Sequence, residues 1–181
     1  MFSSFQELTE ALFDHFDLGK EGDHILGVDV DQDLVKVAGE KIKRTHISFA
    51  HCDITENVTV LQDFLRQHDK DKFDVIFCFS VSMWIHLNQG ERGLAKLFEH
   101  CKRLCDSLFI LEPQPWKCYM TAARRMRKLN LPEFEHLHEI EHKQENLIPH
   151  VKRLCEASKM QLIEVLGETN WKRQILLYKC R

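Results

Sequence analysis

Long apolar runs are missing from this 181-residue chain, and no stretch approaches the roughly 20 residues of a membrane-spanning helix. No secretory leader is legible either, so a soluble, intracellular protein is expected. Glycine and proline are few, at seven and four residues, and no internal repeat, low-complexity tract or linker breaks the pattern. With 44% hydrophobic residues, the length fits one domain, 1–181, with a substantial core. Strong charge of either sign is lacking. The net charge of −3 with 29% charged residues excludes a disordered chain and a globally basic nucleic-acid binder. Any polyanion-binding surface must then be a local patch. A disulfide framework is lacking too. The seven cysteines (Cys52, Cys78, Cys101, Cys105, Cys118, Cys155, Cys180) are odd in number, scattered, mostly inside apolar segments and without a CxxC pair, as reduced thiols are. His136, His138 and His142 stand close together, but in the Glu-rich stretch Glu133 to Glu145 they read as polar surface, so no metal site is expected.

What is present is alternation. Gln6 to Phe16 carries Leu8, Leu12, Phe13 and Phe16 at helical spacing. Apolar, strand-like runs follow at His24 to Val30, Ile47 to Cys52, Phe73 to Ser80 and Ser107 to Leu111, the third being the most apolar. Helical patterns run from Asp31 through Gly39 to about Lys43, from Val58 to His68 and from Gly90 to Cys105, with two more near Tyr119 to Leu129 and Leu147 to Met160. Two final strands, Gln161 to Leu166 and Gln174 to Lys179, flank a turn with no helix between them. The expected fold is α/β: a Rossmann-like, mostly parallel sheet covered on both faces and closed by an antiparallel C-terminal hairpin. That is the layout of class I methyltransferases, shared with other doubly wound folds.

In such a sheet, ligands bind beyond the carboxyl ends of the strands. Asp29 ends the first visible strand, where a carboxylate can accept both ribose hydroxyl hydrogens of a nucleoside, while Asp31 suits a helix cap. Asp53 follows the second strand and could accept from an adenine amino group, with Ile54 offering an apolar face; strand-end aspartates are also ordinary turn residues. The segment Ser80 to Gly90 reads as a ligand-end loop presenting Trp84, His86 and Asn88, with core packing and a substrate role equally open for Trp84. After the next strand, Pro113 and Pro115 stiffen the backbone that carries Glu112, Gln114 and Trp116. From Pro113 through Pro132 there is no acid, while Lys117, Arg124, Arg125, Arg127 and Lys128 accumulate, with Arg124, Arg127 and Lys128 on one helix face. Such a run is either a solvated face or a seat for a phosphate or RNA end.

The stretches Phe77-Cys-Phe-Ser-Val-Ser-Met-Trp-Ile-His-Leu-Asn-Gln-Gly90 and Leu111-Glu-Pro-Gln-Pro-Trp-Lys-Cys-Tyr119 resemble the two signature motifs of the bicoid-interacting, methylphosphate-capping RNA methyltransferases. Ala122 to Leu129 and Thr169-Asn-Trp-Lys-Arg173 are most similar to the family's cytoplasmic branch, which methylates RNA 5′-monophosphates. The resemblance runs from about Glu7 to the C-terminus. It implies S-adenosyl-L-methionine as cofactor, and an RNA 5′ end of the histidine transfer RNA or precursor microRNA type as substrate. It also implies a cytoplasmic location, no membrane, and an RNA-processing protein as a partner. Carried over, Asp29 would bind the cofactor ribose, Asp53 and Ile54 the adenine, and Phe79 the methionine portion. Trp84, His86, Asn88, Glu112, Gln114, Trp116 and Arg124 would line the phosphate side, with His86 a hydrogen-bonding support and not a base. The implied reaction is in-line attack of a phosphate oxygen on a sulfonium methyl, with no catalytic base required.

The family places a strand and a glycine-rich cofactor loop before the first helix. Here Met1-Phe-Ser-Ser-Phe-Gln6 alone precedes it, and Gly19 and Gly22 follow it. The chain is therefore expected to be N-terminally shortened and to lack its first central strand. Two expectations follow: the family activity, completed by a longer natural chain or a partner, or an impaired form acting as an RNA- or protein-binding module.

Overall fold

A computed structural model describes residues 5–180; residues 1–4 of the N-terminal lead-in lie outside it. The chain forms two compact units, one up to Asp69 and one from Lys70. In the first unit the order is α1 (Phe5–His15), β1 (Ile25–Asp29), α2 (Gln32–Lys41), β2 (Ile47–His51) and α3 (Thr59–Gln67). β1 and β2 pair in parallel from Ile25↔Ile47 to Asp29↔His51. Parallel neighbours require a crossover, which α2 supplies. Phe13 of α1, Ala38 of α2, Ile47 of β2 and Leu61 and Leu65 of α3 are buried. Phe16, expected on the apolar face of α1, falls beyond the helix end and is half exposed.

The second unit contains β3 (Phe73–Phe79), α4 (Ser82–Leu104), β4 (Cys105–Glu112), α5 (Trp116–Lys128), a 3₁₀ turn (Gln144–Asn146), α6 (Leu147–Ala157), β5 (Gln161–Glu168) and β6 (Gln174–Lys179). Its sheet has the order β3-β4-β6-β5. β3 and β4 are parallel, whereas β4–β6 and β5–β6 are antiparallel, so the chain ends in the expected hairpin. The interior strands carry the core: Phe109, Leu111, Leu176 and Tyr178 are fully buried, together with Leu94, Leu97 and Phe98 of α4 and Val151 and Cys155 of α6. β3 is the most apolar run in the sequence, yet as an edge strand of this sheet it leaves Val75 37% exposed.

Of the segment expected as a loop from Ser80 to Gly90, Ser80 and Val81 do lie outside regular structure, whereas Ser82 to Gly90 is the first part of α4. Met83, His86, Leu87 and Gly90 recur at three- and four-residue spacing and are buried, which is the pattern of a helix with one face inside. A kink at Gly90 (φ 64°, ψ −164°) hides that continuity. Only glycine readily adopts this backbone.

Candidate active site

At the carboxyl end of β1, Asp29 Oδ1 accepts from the Asp31 amide at 2.9 Å, and the Cys52 amide donates to the Asp29 carbonyl, also at 2.9 Å. Asp31 caps α2, accepting from the Asp33 and Leu34 amides at 2.9 and 3.1 Å, as expected. Two residues past β2, Asp53 Oδ1 closes a turn on the Thr55 amide (2.9 Å) and hydroxyl (2.6 Å). Asp29, Asp53 and Ile54 are half-buried and stand at or just past the carboxyl ends of two adjacent parallel strands. An adenosine offers hydroxyl and amino donors, and this acceptor set fits them.

In the unit from Lys70, Ser80 follows β3 in a left-handed conformation (φ 58°). Its hydroxyl donates to Glu112 Oε2 at 2.7 Å. Arg173 Nη1 donates to Ser80 Oγ at 3.0 Å and to Glu112 Oε1 at 3.3 Å. Glu112 is only 5% exposed, so the guanidinium balances a charge that burial would otherwise disfavour. Gln114, also buried, accepts through Oε1 from the Ser82 hydroxyl (3.0 Å) and the Met83 amide (3.2 Å). It therefore caps α4 from the connection between β4 and α5, because Val81 at the cap position has no side-chain acceptor.

His86 is fully buried. Its Nε2 meets Glu91 Oε1 at 3.2 Å and its Nδ1 meets the Tyr119 hydroxyl at 3.1 Å, while His150 Nε2 meets Glu91 Oε2 at 2.7 Å. These histidine bonds, that of His86 foremost, hold the Glu91 carboxyl down at about 2. A carboxylate only accepts, so His86 donates through Nε2, and its Nδ1 can accept a hydrogen bond from the Tyr119 hydroxyl. Burial, with Glu91 adding to it, keeps the Tyr119 hydroxyl protonated. Trp116 stacks on Tyr119 with ring centroids 5.4 Å apart, and Lys143 Nζ lies 5.7 Å from the Trp116 ring centre. Trp84 is 44% exposed and contacts Phe134; the Asn88 side chain donates to the Trp84 carbonyl. Phe79 is half-buried against Phe77. Arg124 lies with Lys117, Arg125, Arg127 and Lys128 on the exposed part of α5, opposite buried Tyr119, Ala122 and Ala123.

Ser80, Glu112 and Gln114 thus gather at the strand ends, His86 is buried against Tyr119 and Glu91, and Trp84, Asn88 and Arg124 are exposed on helices. Arg173 and Glu91 had no assigned role in the sequence. Their partners lie far away or across the Gly90 kink, and the only hint was the place of Arg173 in the closing motif. Among the described residues, no group of three His, Cys, Asp or Glu side chains could hold a metal ion.

The family model described as Bicoid-interacting protein 3 matches residues 73–180, the unit that holds these clusters, and a methyltransferase-domain model matches residues 9–107. The chain belongs to the bicoid-interacting protein 3 family. A pre-miRNA 5′-monophosphate methyltransferase of Xenopus laevis is 38% identical over 96% of this chain and 71% of its own length. An RNA 5′-monophosphate methyltransferase of Homo sapiens is 36% identical over 97% of this chain and 64% of its own length. The bicoid-interacting chain thus spans about two thirds of the length of the curated relatives it matches. Among solved structures, an S-adenosylmethionine-dependent methyltransferase from Clostridium acetobutylicum superposes with a TM-score of 0.61 at 13% identity, covering 97% of this chain and 80% of its own. A magnesium protoporphyrin IX methyltransferase from Synechocystis with bound S-adenosylhomocysteine gives 0.58 at 16%, covering 97% and 70%. The fold of this family member is that of the class I methyltransferases.

Proposed function

We propose that this protein transfers a methyl group from S-adenosylmethionine to the 5′-terminal phosphate of RNA, with histidine transfer RNA and precursor microRNA as substrate types. We further propose that it works in the cytoplasm beside an RNA-processing protein. The observation that carries the reading is identity of 36–38%, over nearly the whole chain, to proteins named for 5′-monophosphate methylation. The methyltransferase-domain match runs across residue 69, which supports treating 1–181 as one functional domain.

When bound, S-adenosylmethionine supplies a methyl group on a positively charged sulfur. Asp29 would accept from the ribose hydroxyls, and Asp53 and Ile54 would hold the adenine. A phosphate monoester is already ionised near neutral pH, so the chain need supply no general base. The work left to its residues is orientation and charge balance. The basic face of α5, Arg124 included, attracts the RNA backbone, and exposed Trp84 can take a base by stacking.

The test is calorimetric binding of S-adenosylmethionine, followed by transfer of labelled methyl to matched 5′-monophosphate and 5′-hydroxyl RNA hairpins. Label entering only the phosphorylated RNA is expected, with Asp29→Ala weakening cofactor binding about tenfold or more, the scale of a lost hydrogen bond to a charged group. A folded chain that binds RNA but no S-adenosylmethionine would instead be a binding module.

A further inference from the structure

We propose that Arg173 is the cation that receives a non-bridging oxygen of the RNA 5′-phosphate, an inference that rests on the methyl-transfer reading above. The antiparallel pairing Leu111↔Leu176 brings the start of β6 to the carboxyl end of β4. Arg173, just before β6, therefore reaches the strand ends where Ser80 and Glu112 stand, 93 and 61 residues away in sequence. This is the side of an open α/β sheet on which ligands bind.

A guanidinium has five donors in a rigid plane. One nitrogen, Nη1, is committed to Ser80 and Glu112. Nε is buried and has no hydrogen-bond partner. A buried donor left unpaired costs about 1–3 kcal/mol, and the side chain, 21% exposed, has further donors left for an acceptor from outside. The guanidinium carbon lies 5.5 Å from the ring centre of Trp171, and both Glu112 oxygens are engaged, one by Arg173 and one by Ser80. Ser80 is held in a left-handed conformation in the same network, and strain of this kind in non-glycine residues collects at functional sites. The ligand fitting these groups is a compact, anionic oxygen acceptor, which a terminal phosphate is. Glu112 and Ser80 act as positioning residues; Arg173 touches the substrate.

The competing role is a clamp that merely ties the β5–β6 hairpin to the ends of β3 and β4. Binding of the full chain to 5′-monophosphate and 5′-hydroxyl RNA hairpins of one sequence, read by fluorescence anisotropy, separates the two. The wild type is expected to prefer the phosphorylated RNA about tenfold or more, as one charge-assisted hydrogen bond allows. Arg173→Gln should bring that ratio close to one while leaving affinity for the hydroxyl RNA unchanged. Arg173→Lys keeps the charge beside Glu112 but loses Nε and the planar fork, so most of the preference should go while the fold stays. A full preference in either variant, or equal loss for both RNAs in both variants, overturns the proposal and leaves the clamp. A wild type with no preference sinks the 5′-phosphate reading itself.

Discussion

At Gly27 in β1 the absence of a side chain is a packing requirement. A Cβ there would stand 2.7 Å from the Phe49 ring and 2.8 Å from that of Phe5, two rings packed edge-on with centroids 5.0 Å apart. Gly27→Ala should lower stability by about 1–3 kcal/mol, the usual cost of overpacking, measured by urea unfolding. The aspartates separate just as locally. Asp31 has both helix amides in reach and becomes a cap, whereas Asp29 gives one oxygen to the Asp31 amide and keeps its place at the strand end. Spacing along the chain made both positions legible, because each depends on neighbours within three residues. Arg173 was not legible in this way, since nothing in Trp171-Lys-Arg173 names Glu112 or Ser80 as its partners.

At the scale of elements, α4 is governed by contacts it does not itself encode. Its start is capped by Gln114, so Gln114→Ala should cost about 0.5–2 kcal/mol in thermal or urea unfolding. Its kink rests on Gly90, where a Cβ would also come within 3.1 Å of His136 Nδ1. Just beyond the kink, Glu91 joins α4 to α6 through His150 and to buried His86. Its carboxyl, held at about 2 against the ordinary 4.5, adds stability that is present above pH 4.5 and is lost as pH falls toward 2. The stability gap between wild type and Glu91→Gln should accordingly be open at pH 7 and narrow at pH 3, as urea midpoints at the two pH values would show. An unchanged gap would mean that Glu91 contributes through packing alone.

At the scale of the molecule, the two units differ in how much sheet they own. β1 and β2 form a two-stranded sheet, a size of marginal stability, whereas β4 and β6 are flanked on both sides within four strands. Amides of β1 and β2 should therefore exchange hydrogen faster than those of β4 and β6 in native-state exchange read by mass spectrometry. Equal protection would show that the chain opens as one cooperative body. The sequence by itself determined the kinds of elements, their order, the closing hairpin and the strand-end places of Asp29, Asp53 and Glu112, because hydrophobic period and turn chemistry act over a few residues. Only the tertiary structure decided that Ser82 to Gly90 is helix, that Gln114 is its cap, that β3 is an edge, and that Arg173 faces Glu112. Each of these depends on residues distant in the chain meeting across strands and helices, and periodicity carries no record of such meetings.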